Sequence, residues 1–256
     1  VTYFRFRLIV SAFNHARHNK PNRRLKKEKG TAMQRGRDTS ARALGLLLAQ
    51  ELATRMCHDL SGPLGGLVAA LGEADEDPEA VAVARDAAAA LRRRLALLRA
   101  AWGAAAALTG ASLRELAGGL PNAHKLRIEL DQALAVAELI PAHARLALNA
   151  LLLAAESLPL GGVLVLAGDP AGGLVLMPSG PRAAWPEGLG AMLASESRAW
   201  ETLGHSGGLR AMRLQAVITA LLAHAAGVPA RLLLAGASQP VPPLLLDFSR
   251  LERDPA

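Results

Sequence analysis

Leu44, Leu48, Leu52, Met56, Leu60, Leu64, Leu67 and Leu71 recur at spacings of three and four. An α-helix, with 3.6 residues per turn, returns such residues to one side. Residues 41–71 are therefore predicted to form one amphipathic rod of about 30 residues, roughly 45 Å long. The loop Gly72-Glu73-Ala74-Asp75-Glu76-Asp77 ends it, and Asp77-Pro78-Glu79 starts the next helix. Asp supplies the N-cap, Pro loses no needed amide at the first helical position, and Glu faces the positive end of the helix dipole. The second helix is predicted to reach residue 107, with Ala84, Ala88, Leu91, Leu95, Leu98 and Trp102 as its stripe. The two fold back as an antiparallel hairpin. Two helices cannot cover two long stripes alone, whereas two hairpins close a four-helix bundle, so a homodimer is expected.

Charge is divided unevenly between the ends. Residues 1–37 hold eleven Lys or Arg against the single acid Glu28, leaving eighteen basic and twenty-one acidic residues in the rest, so the net +7 of the chain hides a mildly acidic body. Aromatics are scarce there: Trp102, Trp185, Trp200 and Phe248. A base-stacking surface is not expected, and neither is a nucleic-acid partner. The basic segment has Arg inside its only apolar run and so lacks a signal-peptide core. Three readings stand for it: a disordered basic tail, an upstream extension ahead of a start at Met33, or a functional basic arm. The most apolar stretch, 146–168, is broken by Asn149, Glu156 and Pro159-Leu160-Gly161-Gly162, which argues against a membrane span. Cys57 is the only cysteine, which excludes an intrachain disulfide and suits a cytoplasmic setting. No Cys/His cluster has metal-ligand spacing, so no metal is expected in this chain.

Helical phase sets His58 apart. At about 100° per residue, with His58 at zero, Leu52 falls near 120°, Met56 near 160°, Leu67 near 180° and Leu60 near 200°. The apolar stripe lies opposite the imidazole, whose own face carries Glu51, Thr54, Arg55, Ser61 and Gly62. His58 is therefore expected on the outside of the bundle, either as a reactive group or as an ordinary surface histidine.

The stretch Arg55-Met56-Cys57-His58-Asp59-Leu60-Ser61-Gly62-Pro63-Leu64-Gly65-Gly66 resembles the phosphoacceptor box of histidine-kinase dimerisation helices, in which His is followed by an acid and, five residues after the His, by Pro. It is closer still to the histidine phosphotransferases of the ChpT type, whose helix reads much like Cys-His-Asp-Leu with a Pro. The second region fits that resemblance, which spans about residues 41–250. Residues 126–130 read as a strand, 142–158 as a helix and 162–167 with 172–177 as a hairpin; helices at 190–203 and 209–226 follow, then strands at 231–234 and 244–248. The fold class expected is α+β: a tail over 1–37, a hairpin domain over 38–110 forming the dimeric bundle, and over 111–256 an α/β sandwich resembling a degenerate histidine-kinase ATPase domain.

In active kinases of the resembled group, the helix equivalent to 142–158 carries Glu and, four residues later, a magnesium-binding Asn. Here Arg145 precedes Asn149 at that distance. The nearest approach to a phosphate-cradling Asp-x-Gly-x-Gly, Asp169-Pro170-Ala171-Gly172-Gly173, has Ala where the first Gly belongs. Gly204-His205-Ser206-Gly207-Gly208 is read as a loop and helix cap rather than an anion cradle. ATP binding and autokinase activity are not expected.

The resemblance implies that His58 is a phosphoacceptor. It is loaded from the receiver domain of a hybrid histidine kinase and unloaded onto receiver domains of response regulators, which bring the Mg2+; the chain itself binds no cofactor. Asp59 is the acid that orients the ring or accepts its proton, the alternative being a solvated helix charge. Arg55, one turn before His58, steadies the phosphoryl oxygens or pairs with Glu51. Pro63 removes a backbone bond to residue 59 and is expected to bend the helix. Gly62 and Gly65-Gly66 leave room for another backbone to approach, or simply weaken the helix. Kinases with phosphatase activity often carry Asn or Thr where Gly62 stands, so a reversible carrier is favoured. Cys57 is expected to serve packing, and His124, His143, His205 and His224 are incidental. Competing readings are a non-catalytic dimeric scaffold that binds receivers, and an ATP-dependent histidine kinase.

Overall fold

The structure is a computed structural model and describes residues 27–74, 77–169, 172–204, 211–236 and 241–249, with side chains from residue 42 onward apart from 211 and 212. Most of the basic segment lies outside the described residues, as do Pro170 and Ala171 and the loop from His205 to Gly208.

Helix α1 spans Lys27–Gly72 and α2 spans Pro78–Trp102, packed together as the predicted hairpin. Helix α1 starts well before residue 41, so part of the basic segment is helical, and it continues through Pro63. The start of α2 follows its sequence signals, with the Asp77 carboxylate accepting the Glu79 amide at 2.8 Å and Pro78 in the first turn. Its end falls at Trp102 rather than at 107. Gly103 leaves helical geometry and its N–H donates to the Arg99 carbonyl at 2.9 Å, where a Cβ at 103 would lie 2.3 Å from that oxygen.

A short strand β1 (Leu108–Thr109) leads into helix α3 (Gly110–Ala117), and a 3-10 turn at Ala123–Lys125 enters strand β2 (Leu126–Leu130). Helix α4 (Gln132–Val136) and strand β3 (Glu138–Leu139) follow, with β3 pairing β1 antiparallel in a ribbon that the sequence did not announce. Helix α5 (Pro141–Glu156) crosses to strand β4 (Gly162–Asp169), which forms a hairpin with β5 (Gly173–Ser179). Helices α6 (Leu189–Ala194), α7 (Glu196–Gly204) and α8 (Ala211–Ala225) precede strands β6 (Ala230–Leu232) and β7 (Leu244–Leu246). The main sheet has the order β2-β4-β5-β7-β6, with β2 and β4 parallel and the other pairs antiparallel. A parallel pair needs a long crossover, and α5 supplies it.

Helix α5 is apolar on nearly every side and, apart from Arg145, is buried from His143 to Ala155, because it is sandwiched between strand β5, helix α8 and helix α2 of the hairpin. The sheet alternates buried and half-buried positions, as in the Leu164 and Leu166 pair of β4. Leu48 of α1 and Leu97 and Ala101 of α2 belong to the same continuous core, so the hairpin and the α/β part are joined by apolar packing. Among the described residues, no helix is long and apolar enough to cross a membrane.

Candidate functional site

Helix α1 has three sides. His58 projects from one, its side chain 87% exposed. About 40° to 100° round the helix lie Leu44, Arg55, Leu48 and Asp59, and this side meets the α/β part: Leu44 lies against Gly204, Leu48 is buried, and Arg55 reaches α5 and α8. The third side, opposite His58, carries Met56, Leu64 and Leu71, which stay exposed at 38%, 49% and 57%.

Arg55 corrects the sequence reading. Expected on the open face beside His58, it is 5% exposed and turned into the interface between the hairpin and the α/β part. One terminal nitrogen is paired with Glu156 Oε1 at the end of α5, and the other donates to Gln215 Oε1 of α8 at 3.1 Å. Its Nε lies 3.6 Å from Asp59 Oδ2, so its neighbour one turn along is Asp59, not Glu51. The guanidinium carbon is 5.6 Å from the centre of the Trp102 ring, within cation–π range. Enclosed on these sides, Arg55 is not placed to touch a phosphoryl group on His58. The sequence could not show this, because the covering residues come from α2, α5 and α8.

Asp59 is beside the imidazole. Its Oδ1 lies 3.6 Å from His58 Nδ1, just beyond hydrogen-bond length, while Oδ2 receives Arg94 Nη2 of helix α2. Only 15% of its side chain is exposed, so it is not a solvated helix charge. Arg94 itself is held from behind, its Nη1 donating to the Gly119 carbonyl at 3.2 Å. Sequence reasoning missed Arg94 although a signal existed. It stands at the spacing of Leu97, Leu98 and Ala101, all buried, and a cation in an apolar register needs a partner.

The cluster therefore holds two arginines and two carboxylates. Burial raises the pKa of Glu156 above the ordinary 4.5, and Arg55, the opposing charge, only partly offsets this. Its Oε2 is buried without a hydrogen-bond partner among the described residues.

Asn149 extends the polar layer. Its Oδ1 accepts from Trp102 Nε1 and Gln215 Nε2, both at 3.0 Å, and its Nδ2 donates to the carbonyls of Ala101 at 3.0 Å and Arg145 at 2.9 Å. The side chain is fully buried and every hydrogen-bonding capacity is engaged within the chain.

Around His58, Ser61 Oγ donates to the Cys57 carbonyl at 2.6 Å, and a Cβ added at Gly62, Gly65 or Gly66 would meet nothing within 4 Å. Pro63 lacks the N–H that would reach the Asp59 carbonyl. Cys57 is exposed, so it does not serve packing as expected. Of the other histidines, His143 is buried and stacked on Phe248 at 4.0 Å, and His224 contacts the Met192 carbonyl at 2.9 Å.

No curated protein matches the sequence. A solved structure described as a bacterial phosphotransferase is 22% identical, with a TM-score of 0.59, covering 78% of this chain and 95% of that one, which shows a shared fold. A family model described as the histidine phosphotransferase C-terminal domain matches residues 110–237, from the start of α3 past β6. The α/β part thus carries the family signature while His58 stands on the adjoining hairpin, and the chain belongs to the histidine phosphotransferase family.

Proposed function

We propose that this protein relays a phosphoryl group between receiver-domain aspartates of partner proteins, with His58 as the carrier. The observation that carries this reading is an imidazole 87% exposed on a continuous helix, next to a carboxylate that is itself held from behind. Phosphoryl transfer depends mainly on in-line positioning and charge neutralisation. A receiver domain contributes its own aspartyl phosphate and bound Mg2+, so the carrier needs only a projecting nucleophile. His58 Nε2 attacks phosphorus, the bond from phosphorus to the aspartyl oxygen breaks, and the receiver carboxylate leaves with that electron pair. The Nδ1–H of the resulting phosphoimidazolium turns toward Asp59 Oδ1. Attack by the carboxylate of a second receiver reverses these steps.

The donor in this reading is a hybrid histidine kinase and the acceptors are response regulators, in the cytoplasm. The chain works as a homodimer. Met56, Leu64 and Leu71 on α1 lie exposed opposite His58, and Leu67, Ala88, Leu91 and Leu95, with Arg92 and Arg99, line a mainly apolar groove between α1 and α2. A second hairpin laid on this side completes a four-helix bundle and leaves both His58 side chains outside.

Two observations weigh against an ATP-driven kinase. Arg145 replaces the Glu expected four residues before Asn149, and the Asn149 amide is consumed by four internal partners. The test is a reconstituted transfer assay with phosphorylated receivers. Wild type gains a radiolabel and His58→Ala does not, while remaining dimeric. Label that persists in His58→Ala excludes the proposal, binding without label favours the scaffold, and label acquired from ATP alone favours the kinase.

A further inference from the structure

We infer that Arg94 is a positioning residue for the phosphoacceptor, acting on His58 through Asp59, with the backbone at Gly119 as its fixed anchor. The inference rests on the carrier reading of His58.

Adjacent residues on a helix do not face one another, so the Asp59 carboxylate has no intrinsic reason to stay beside the His58 ring. Something outside α1 must hold it. Arg94 Nη2 engages Asp59 Oδ2, and Arg55 Nε stands 3.6 Å from the same oxygen. Oδ1 is left as the oxygen nearest His58 Nδ1, at 3.6 Å. The two carboxylate oxygens are thereby divided between structural and imidazole partners. A small rotation of the ring closes the remaining gap, as happens to catalytic hydrogen bonds when a partner docks.

The guanidinium is planar, so a bond from its other end fixes its orientation. That bond runs from Nη1 to the Gly119 carbonyl at 3.2 Å. Gly119 sits against the backbone of α2, where a Cβ would approach the Arg93 carbonyl oxygen to 2.3 Å and Leu97 Cβ to 3.0 Å. The close approach that requires glycine brings the carbonyl to Arg94. With its side chain 10% exposed, Arg94 is not open to an incoming phosphate, so any effect on transfer passes through Asp59. Holding the Nδ1 proton on the Asp59 side leaves Nε2 free as the nucleophile.

The experiment is a double-mutant cycle on the full chain. It reads single-turnover transfer rate, receiver affinity and the 15N chemical shifts of His58 in Arg94→Ala, Arg94→Lys, Asp59→Asn and Arg94→Ala/Asp59→Asn. Arg94→Ala is expected to slow transfer by roughly tenfold or more, within the range of general acid–base effects, with receiver affinity unchanged. Arg94→Lys restores part of the rate, since one ammonium can serve Asp59 but lacks the fork that also reaches Gly119. In the Asp59→Asn background, loss of Arg94 has no further effect. The 15N shifts move from the Nδ1–H tautomer in wild type toward Nε2–H in Arg94→Ala. Additive losses, or an unchanged tautomer, overturn the inference. So does failure of both Arg94 variants to fold, which makes the residue a fold element alone. If wild type takes no label, the carrier reading fails, and the tautomer comparison still decides whether Arg94 positions the ring.

Discussion

Arg55 and Glu156, 101 residues apart in the chain, form a buried ion pair that ties helix α1, which carries His58, to the end of α5. The hairpin therefore does not simply carry the α/β part as an appendage. Its first helix, α1, is held by a charge contact within one turn of His58.

Breaking one side of that pair strands the other charge in the interior. Arg55→Met is expected to destabilise the folded chain by about 3 kcal/mol or more, whereas Arg55→Met with Glu156→Leu recovers much of the loss, because an apolar pair of similar volume avoids desolvation. Urea denaturation of the single and double variants checks this, and equal losses in both would contradict it.

The raised pKa of Glu156 has a defined pH signature. A carboxyl whose folded pKa exceeds its unfolded value binds its proton more tightly when folded. Its contribution is fully present below the ordinary 4.5 and is lost as pH rises through the elevated folded value. Glu156→Gln has no such proton to lose. Melting temperatures measured from pH 4 upward should show wild type losing stability relative to Glu156→Gln across the interval above 4.5, then a constant difference. A flat difference throughout would show that burial does not govern this carboxyl.

Gly62 separates stability from docking. A methyl group there meets nothing within 4 Å, so Gly62→Ala should stabilise α1 by about 0.5–1 kcal/mol. If a receiver backbone approaches this face, one turn beyond His58, the same methyl slows transfer. Thermal melts with transfer kinetics test the pair of effects, and an Ala variant that transfers at the wild-type rate would show that the glycine only weakens the helix.

The exposed apolar side of the hairpin makes the dimer testable. Leu64 and Leu71 are 49% and 57% exposed. Leu64→Glu with Leu71→Glu places like charges where the second hairpin is expected, and should yield a folded monomer by light scattering, with His58 still on the opposite side. A dimer that survives both changes would locate the interface elsewhere.

Local signals in the sequence sufficed for much of this fold. The periodicity from Leu44 to Leu71, the Asp77-Pro78-Glu79 start and the β4–β5 hairpin all follow from contacts within one helix turn or one strand pair, where spacing alone dictates the outcome. The β1–β3 ribbon was not legible, since two residues per strand carry no period. Nor was the end of α2 at Trp102, which Gly103 sets through its contact with the Arg99 carbonyl.

The candidate site divides along the same line. By itself the sequence determined that His58 faces away from the apolar stripe, because phase around a single helix is a local property. Which polar neighbours share its environment was decided only by tertiary structure. Arg55 and His58 lie about 60° apart on the wheel, yet one is buried and the other open, because α2, α5 and α8 cover one side of the helix and not the next. Asp59 acquires its partner from Arg94, 35 residues away, and Arg94 acquires its anchor from the carbonyl of Gly119. A buried charge is stable only where several distant elements meet to satisfy it, and helical periodicity carries no information about that meeting.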